Sequence, residues 1–322
     1  MSKVFKKSKI MIFLLICLCM IVSLAVYGQY SYQIFYSPQT KVFGATYMTM
    51  NNPFYEVINN EIKKEIEAHG DTLVTLDPAL DKNKQNEQIY YFIKEKVNAI
   101  FLTPIDYKAV EPALKKAKEA NIPVIVIDAP VNNTEYVSCT IVSDNYDAGV
   151  QCAKDMMKKR KSANIILLEH LSAKSAVDRI QGFKDTIQSY PQYKIINSRN
   201  CEGQIELAFP ATEEMLKQTP NVDVIMALND PSAMGALAAL EAHHKTKDTL
   251  VYGVDGTPDC KNLINNESMS GTSAQYPILF GEKAIEIGYR ILDHEQIEKE
   301  IIVPVTLITK DNINEFNIAG WQ

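Results

Sequence analysis

From residue 42 onward the apolar positions fall into two alternating kinds of run. Short, β-branched runs recur as VFGATYM, TLVTL, AIFLT, PVIVID, NIILLE, VIMAL and LVYGV. Runs this short, with little polar alternation inside them, suit strands buried on both faces. Between them lie amphipathic stretches of about 12–18 residues, such as PFYEVINNEIKKEIEAHG and YKAVEPALKKAKEAN, which read as helices. Pro53 sits in the first turn of one helix, where proline is tolerated. Gly70 and Asn121 stand where helix C-caps belong. Strand and helix in regular succession predict an α/β fold with parallel sheets covered by helices.

More than about ten such strands exceed what one compact sheet of this type usually holds, so the pattern predicts two doubly wound, Rossmann-like lobes. The stretch VSCTIVSDNYDAG (137–149) breaks the alternation by adding a strand soon after PVIVID with no helix between. It reads as the last strand of lobe one and a crossing into lobe two. TSAQYP (272–277) is a second irregularity. The final stretch EIIVPVTLITKDNI reads as one long strand running across both lobes. Three crossings make a three-strand hinge. The expected organisation is 42–142 plus 276–304 for lobe one, and 143–275 plus 305–322 for lobe two.

Residues 1–28 do not belong to the globular part. Lys3, Lys6, Lys7 and Lys9 precede an uncharged run from Ile10 to Gly28. Nineteen helical residues rise ~28 Å, about one hydrocarbon core. Lysines before the run and none in it orient the first residues to the cytoplasm and everything after Gly28 outside. The run exceeds the ~7–15 apolar residues of a signal-peptide core, which favours an uncleaved anchor. Val26 and Gly28 also fit a cleavage site, so a signal peptide removed near Gly28 is the alternative. Residues 29–41 read as a linker. Of 322 residues, 33 are basic and 39 acidic. Removing the four leading lysines from the 33 leaves 29 against 39, a net of −10 for the exported part. That charge argues against a nucleic-acid partner. Hydrophobic residues at 46% and charged residues at 22% exclude a disordered or coiled-coil chain.

In open parallel sheets, ligands gather at the carboxyl ends of the strands near the switch point. The residues just past each strand form a consistent polar set. Asn52, Phe54 and Tyr55 follow VFGATYM, Thr103 follows AIFL and Asp128 follows PVIVI. Asn229 and Asp230 follow VIMAL, Asp255 follows LVYGV and Gln275 follows GTSA. Arg179 lies one turn before Gly182-Phe183 on a helix. Such a set suits a small polyhydroxylated molecule. Carboxylates accept strong hydrogen bonds from hydroxyls, amides both donate and accept, an arginine supplies a donor fork, and aromatics cover the C–H face of a sugar ring. Singly, each has a plainer role: helix N-cap for Asp128, Asp230 or Asp255, core for Phe54, a surface ion pair with Asp185 for Arg179. Only their coincidence at equivalent strand ends points to a site.

Other chemistry is poorly represented. There is no GxxxxGK[ST] or GxGxxG phosphate loop and no GxSxG elbow. The histidines His69, His170, His243, His244 and His294 lack zinc-ligand spacing. No cofactor or metal is implied. Cys139, Cys152, Cys201 and Cys260 show no paired spacing and read as small core residues, with a Cys139–Cys152 bridge left open.

The stretches MTMNNPFYEV, NIPVIVIDAP, SDNYDAG, SAVDRIQGF, ALNDPSAMGALAAL, GVDGTPD and TSAQYP together resemble the pentose- and hexose-binding group of periplasmic sugar-binding proteins, the ribose-binding kind in particular. The resemblance spans roughly residues 42–310. It implies two Rossmann-like lobes that close on a monosaccharide without catalysis. It implies that Asn52, Phe54, Tyr55 and Asp128 are first-lobe ligands, and that Arg179, Asn229, Asp255 and Gln275 are second-lobe ligands. The chain departs from that pattern at Thr103, where ribose binders carry Asn, and at Ala129, where they carry Arg. It departs again at Glu202-Gly203, where an aromatic wall is expected, and at Val254, often Phe. The site is therefore larger and less cationic, which suits a hexose, another pentose or a polyol as well as ribose. The expected partner is the permease of an ABC-type transporter. The alternative is a tethered sensing subunit that presents sugar occupancy to a sensor kinase. A sugar-responsive repressor would need an N-terminal helix-turn-helix where this chain has an apolar segment.

Overall fold

The computed structural model describes residues 15–28 and 40–322. Residues 15–28 are helical and are considered by themselves. The rest of the predicted anchor, residues 10–14, and the linker residues 29–39 lie outside the described residues. Among the described residues, no helix is long and apolar enough to cross a membrane.

Residues 41–322 build twelve strands among the described residues, in two six-stranded sheets. The chain first lays down β1 (Val42–Thr46), β2 (Thr72–Leu76), β3 (Ala99–Leu102), β4 (Val124–Ile127) and β5 (Cys139–Ser143). It then forms β6 (Ala163–Glu169), β7 (Tyr193–Asn200), β8 (Val224–Ala227), β9 (Leu250–Asp255) and β10 (Gly271–Ala274). Two short strands follow, β11 (Glu300–Val303) and β12 (Thr306–Thr309). The first sheet runs β11-β5-β4-β3-β1-β2, all parallel. The second runs β12-β10-β9-β8-β6-β7, parallel except for β12.

Apolar residues at every strand position follow from helices on both faces. In the first lobe, Phe43, Ala45, Phe101, Ile125 and Ile127 share a core with Ile58, Ile62 and Ile66 of α1 (Pro53–Ala68). Their sequence neighbours Ile100, Leu102, Val124 and Val126 face the other way. They meet Ile89 and Phe92 of α2 (Lys82–Lys94) and Leu114 of α3 (Glu111–Glu119). The second lobe repeats the plan with α4 (Asn145–Lys159), α5 (Lys174–Ile187), α6 (Ile205–Gln218), α7 (Asp230–Ala242) and α8 (Pro258–Asn265). The last helix, α9 (Pro277–Leu292), returns to pack on α1 of the first lobe. Gly70 and Asn121 take positive φ at helix ends, as C′ residues do.

The chain passes between lobes after β5, after β10 and between β11 and β12. The last passage corrects the expectation of one continuous strand. Glu300–Val303 pairs parallel to β5, whereas Thr306–Thr309 pairs antiparallel to β10. Pro304 lies between them, and its missing N–H and fixed φ end the first ladder. The Gln151 amide of α4 then pins the crossing, donating to the Val305 carbonyl (3.1 Å) and accepting from the Leu307 N–H (2.7 Å). Cys139, Cys152, Cys201 and Cys260 are buried and unpaired.

Two glycines set the approach of α4 to α5. A Cβ on Gly149 would lie 1.8 Å from the Arg179 carbonyl, and one on Gly182 would lie 2.0 Å from the Tyr146 carbonyl. Both collisions are with backbone, so no rotamer change relieves them. Gly149→Ala should therefore lower stability by the ~1–3 kcal/mol of core overpacking. At about 2–4 °C per kcal/mol this is several degrees of melting temperature. An unchanged melting curve would show that α4 and α5 are not held this close.

Candidate ligand-binding site

The carboxyl ends of both sheets face one cleft. A small cavity of about 40 Å³ lies there. Asn52, Phe54, Tyr55 and Asp128 line it from the first lobe, and Arg179, Asn229, Asp255 and Gln275 from the second.

Thr103 is not brought to the cavity. It is fully buried; its hydroxyl donates to the Ile127 carbonyl (3.0 Å), and its own carbonyl accepts from Gln85 (2.9 Å). A β-branched hydroxyl that bonds a neighbouring strand's carbonyl stays in the sheet. The two asparagines divide their groups. Asn52 caps α1, its Oδ1 accepting from the Phe54 N–H (3.0 Å), which leaves its NH2 unspent. Asn229 caps α7 through Oδ1 (Ser232 N–H, 3.0 Å) and donates Nδ2 to the Gly203 carbonyl (3.1 Å).

Asp128 and Asp255 are not helix caps. Asp128 has φ 70° and stands at the centre of a three-residue turn closed by Ala129 N–H to the Ile127 carbonyl (2.8 Å). Asp255 ends β9 at φ 137°. Non-glycine residues in this region cost about 1–3 kcal/mol each, and such strain concentrates at functional sites. Asp230, by contrast, is structural: its buried carboxylate accepts from Thr272 Oγ1 (2.6 Å), Thr257 N–H (2.8 Å) and Thr257 Oγ1 (3.0 Å).

Arg179 joins the two halves. Its Nε donates to Asn145 Oδ1 (2.8 Å) and its Nη1 to the Leu228 carbonyl (3.1 Å). So oriented, the guanidinium stands 3.7 Å from Asp128 Oδ1 and 3.6 Å from Asp255 Oδ1. Asp185, the surface partner it could have had, bonds Tyr146 and Gln181 instead. Tyr55 lies against Tyr47, ring centroids 5.9 Å apart, and its hydroxyl donates to Asp128 Oδ2 (3.1 Å). Phe54 meets Tyr55 edge-on at 5.6 Å. Gln275 donates to Asp255 Oδ1 (2.8 Å).

Residues 43–296 match the family model described as the periplasmic binding protein domain. The chain is 31% identical over 265 residues to the ribose import binding protein of Escherichia coli, covering 81% of this chain and 88% of that one. It is 28% identical over 279 residues to the D-apiose import binding protein of Actinobacillus succinogenes, covering 84% and 89%. A solved solute-binding protein of an ABC transporter from Agrobacterium vitis, with bound D-fucose, superposes with a TM-score of 0.81 at 27% identity, covering 85% and 97%.

The chain belongs to the periplasmic binding protein family. Periplasmic binding proteins are extracytoplasmic receptors, not enzymes, and the two-lobed α/β fold is theirs. Against that frame, other cavity residues stand out that the strand-end reading did not single out as ligands. His170 follows β6, so the rule applied to that strand would have found it. Asn145 acts through Arg179 and carries no signal of its own. Glu202, with Gly203 (φ 71°), occupies the place of the missing aromatic wall.

The electrostatics are acceptor-rich. Burial raises the Asp128 carboxyl above the ordinary range, and Arg179 and Tyr55 offset part of it. Asp255 is raised further, first by burial and then by the charges of Asp230 and Asp128, against the pull of Arg179 and Gln275. Burial, then the Arg179 charge, pushes His170 down to about 4, so it is neutral near neutral pH. A carboxyl raised on folding stabilises the empty protein below its unfolded pKa, and that contribution is lost as pH rises through the raised value. A ligand hydroxyl that donates to the carboxylate prefers the ionised form. Affinity should therefore fall as the medium is acidified through the raised range of these carboxyls. Asp255→Asn should flatten the profile. A titration of affinity against pH in both proteins checks this, and a parent profile with no acid limb would contradict it.

Proposed function

We propose that this periplasmic binding protein captures an uncharged monosaccharide or related polyol (a pentose, a hexose or a cyclic polyol) outside the cytoplasm and delivers it to an ABC-type importer. One observation carries the reading: Asp128 Oδ1 and Gln275 Oε1, on two residues that line the cavity, are buried acceptors with no hydrogen-bond partner. Buried polar atoms are normally satisfied, so a ligand rich in donors is what the cleft lacks. Arg179 is the one positively charged side chain lining the cavity among the described residues, set against two buried carboxylates and Glu202. A uronate or sugar phosphate is therefore disfavoured. The names of the relatives, ribose and D-apiose import proteins, support the same class. They are import proteins, and the sensor-kinase alternative gains nothing from them.

In this reading the ligands are Asn52, Phe54, Tyr55 and Asp128 from one lobe and Arg179, Asn229, Asp255 and Gln275 from the other, with Thr103 left out. The lobes, 42–142 with 276–304 and 143–275 with 305–322, move about the three crossings. Sugar bridging Asp128 and Asp255 stabilises the closed population. Hydrogen bonds to charged groups contribute ~1.5–3 kcal/mol. Asp128→Ala and Asp255→Ala should each weaken sugar affinity ~10–150-fold at ~1.4 kcal/mol per decade. The melting temperature of the empty protein should hardly fall, since each removal relieves a buried charge while Arg179 keeps its hydrogen bonds to Asn145 and Leu228. Calorimetry with D-ribose, D-apiose, D-allose, D-fucose and myo-inositol reads both quantities. Parent-like affinity in both variants would remove the carboxylates from the site.

The run from residue 10 to 28 is the proposed anchor. Its described part, residues 15–28, is helical, as a membrane-crossing segment requires. Protein recovered from washed membranes should yield an N-terminal sequence upstream of Ile10. A soluble product starting near Gln29 would replace the anchor with a cleaved signal.

A further inference from the structure

The residues after β12 do more than end the fold. Lys261, on α8, is completely buried, and among the described residues no carboxylate lies within ion-pair distance of its ammonium. Its ammonium donates instead to the carbonyls of Asn317 (2.7 Å) and Gly320 (2.5 Å) and to Gln322 Oε1 (2.9 Å). A buried cation held by three oxygens of one heptapeptide fixes that peptide in place. Gln322 turns its amide to the backbone of the site, donating to the carbonyls of Asp255 (3.1 Å) and Gln275 (2.6 Å). Gly256, at φ 75°, leaves the room: a Cβ there would lie 2.6 Å from Gln322 Nε2.

These anchors all belong to the second lobe or its edge. Trp321, between them, reaches the first lobe. Its ring meets Phe54 edge-on, centroids 5.8 Å apart at 61°. Phe54 in turn meets Tyr55, whose hydroxyl holds Asp128. Trp321 also borders a groove between Asn51–Pro53 of the first lobe and Gly203–Glu206 of the second. The second lobe has no aromatic wall at Glu202-Gly203, and Trp321 brings one to the cleft edge from elsewhere in the chain.

We propose that residues 316–322 form a strap carried by the second lobe, and that Trp321 closes against Phe54 as a positioning residue that sets how tightly the closed form holds its ligand. Opening the hinge must separate the two rings, because the strap travels with Lys261 and Gln275 while Phe54 travels with α1. The contact therefore counts only in the closed population and multiplies the affinity of any ligand that selects it. The proposal rests on the closure reading above, and its test separates the two.

Trp321 is the only tryptophan of the chain, so its emission reports the contact in the full-length protein. D-ribose, D-apiose, D-allose, D-fucose and myo-inositol are added in turn while emission and acrylamide quenching are followed. A sugar that binds should lower the quenching of Trp321. Trp321→Ala should weaken the affinity for that sugar about tenfold, through faster dissociation, as expected for an aromatic pair with its buried area. The sugar-free melting temperature should stay within about 2 °C. Trp321→Phe should recover most of the affinity, which a merely structural role would not require. Lys261→Met, with no sugar present, should free the strap and raise the quenching of Trp321. Affinity of Trp321→Ala within about twofold of the parent overturns the proposal, as does unchanged quenching in Lys261→Met. If none of these sugars binds the parent, the sugar-binding reading fails while the Lys261→Met comparison still decides the strap.

Discussion

The arrangement turns on one guanidinium between two buried carboxylates. Arg179 stands between Asp128 and Asp255, one from each lobe, at 3.7 and 3.6 Å. Each carboxylate sits on strained backbone, and each is raised by burial more than the single cation can undo. Removing two carboxylates from water costs several kcal/mol apiece, and attraction returns it only with good geometry and further hydrogen bonds. Here the cation keeps its direct hydrogen bonds for Asn145 and Leu228 and meets the carboxylates at longer range. Much of the second lobe can be understood from that requirement. Gly149 and Gly182 bring α5 against α4 so that Arg179 reaches the cleft, and the first turn of α4 supplies the Asn145 oxygen that aims it.

Much of the fold was legible because burial on both faces writes itself into every strand position, as in VIVI of β4 or VIMA of β8. It was less legible at the edges. β7 reads YKIINSRN, and Lys194 and Ile195 are exposed, so it carries little of the pattern of a central strand. The split of the last stretch was signalled by Pro304, since a proline inside an apparent central strand argues against continuity. Its apolar neighbours on both sides outweighed that signal, because each half belongs to a different sheet and both halves are apolar for their own reasons.

In the site, the strand-end rule found positions but not orientations. Thr103 occupies a correct strand end, yet its hydroxyl turns to the Ile127 carbonyl, and no pattern in sequence distinguishes a residue bonded sideways from one aimed at the cleft. Asn52 and Asn229 were singled out as ligands, and the structure shows both capping helices, since a side chain at a helix N-terminus caps it wherever it can. Asp230 shows the converse, a carboxylate next to the site consumed by Thr257 and Thr272. Trp321 was beyond any local rule. It reaches Phe54 across 267 positions only through the strap that Lys261 holds, and nothing near either residue announces the contact.

A receptor that closes on its ligand must not stay closed without it, because the closed shape is what a transporter would read. The energetics here meet that demand by incompleteness. In the proposed closed form, no group of the protein hydrogen-bonds Asp128 Oδ1 or Gln275 Oε1, and an unsatisfied buried acceptor costs about 1–3 kcal/mol. The Arg179 clasp and the Trp321–Phe54 contact act in the opposite direction, favouring closure whether or not the cleft is filled. A ligand that satisfies both acceptors removes the opposing term, and moving a two-state equilibrium from mostly open to mostly closed takes about 5.5 kcal/mol. A few well-placed hydroxyls are enough for that, which is why specificity in such a cleft follows the positions of unsatisfied atoms more closely than the volume of the cavity.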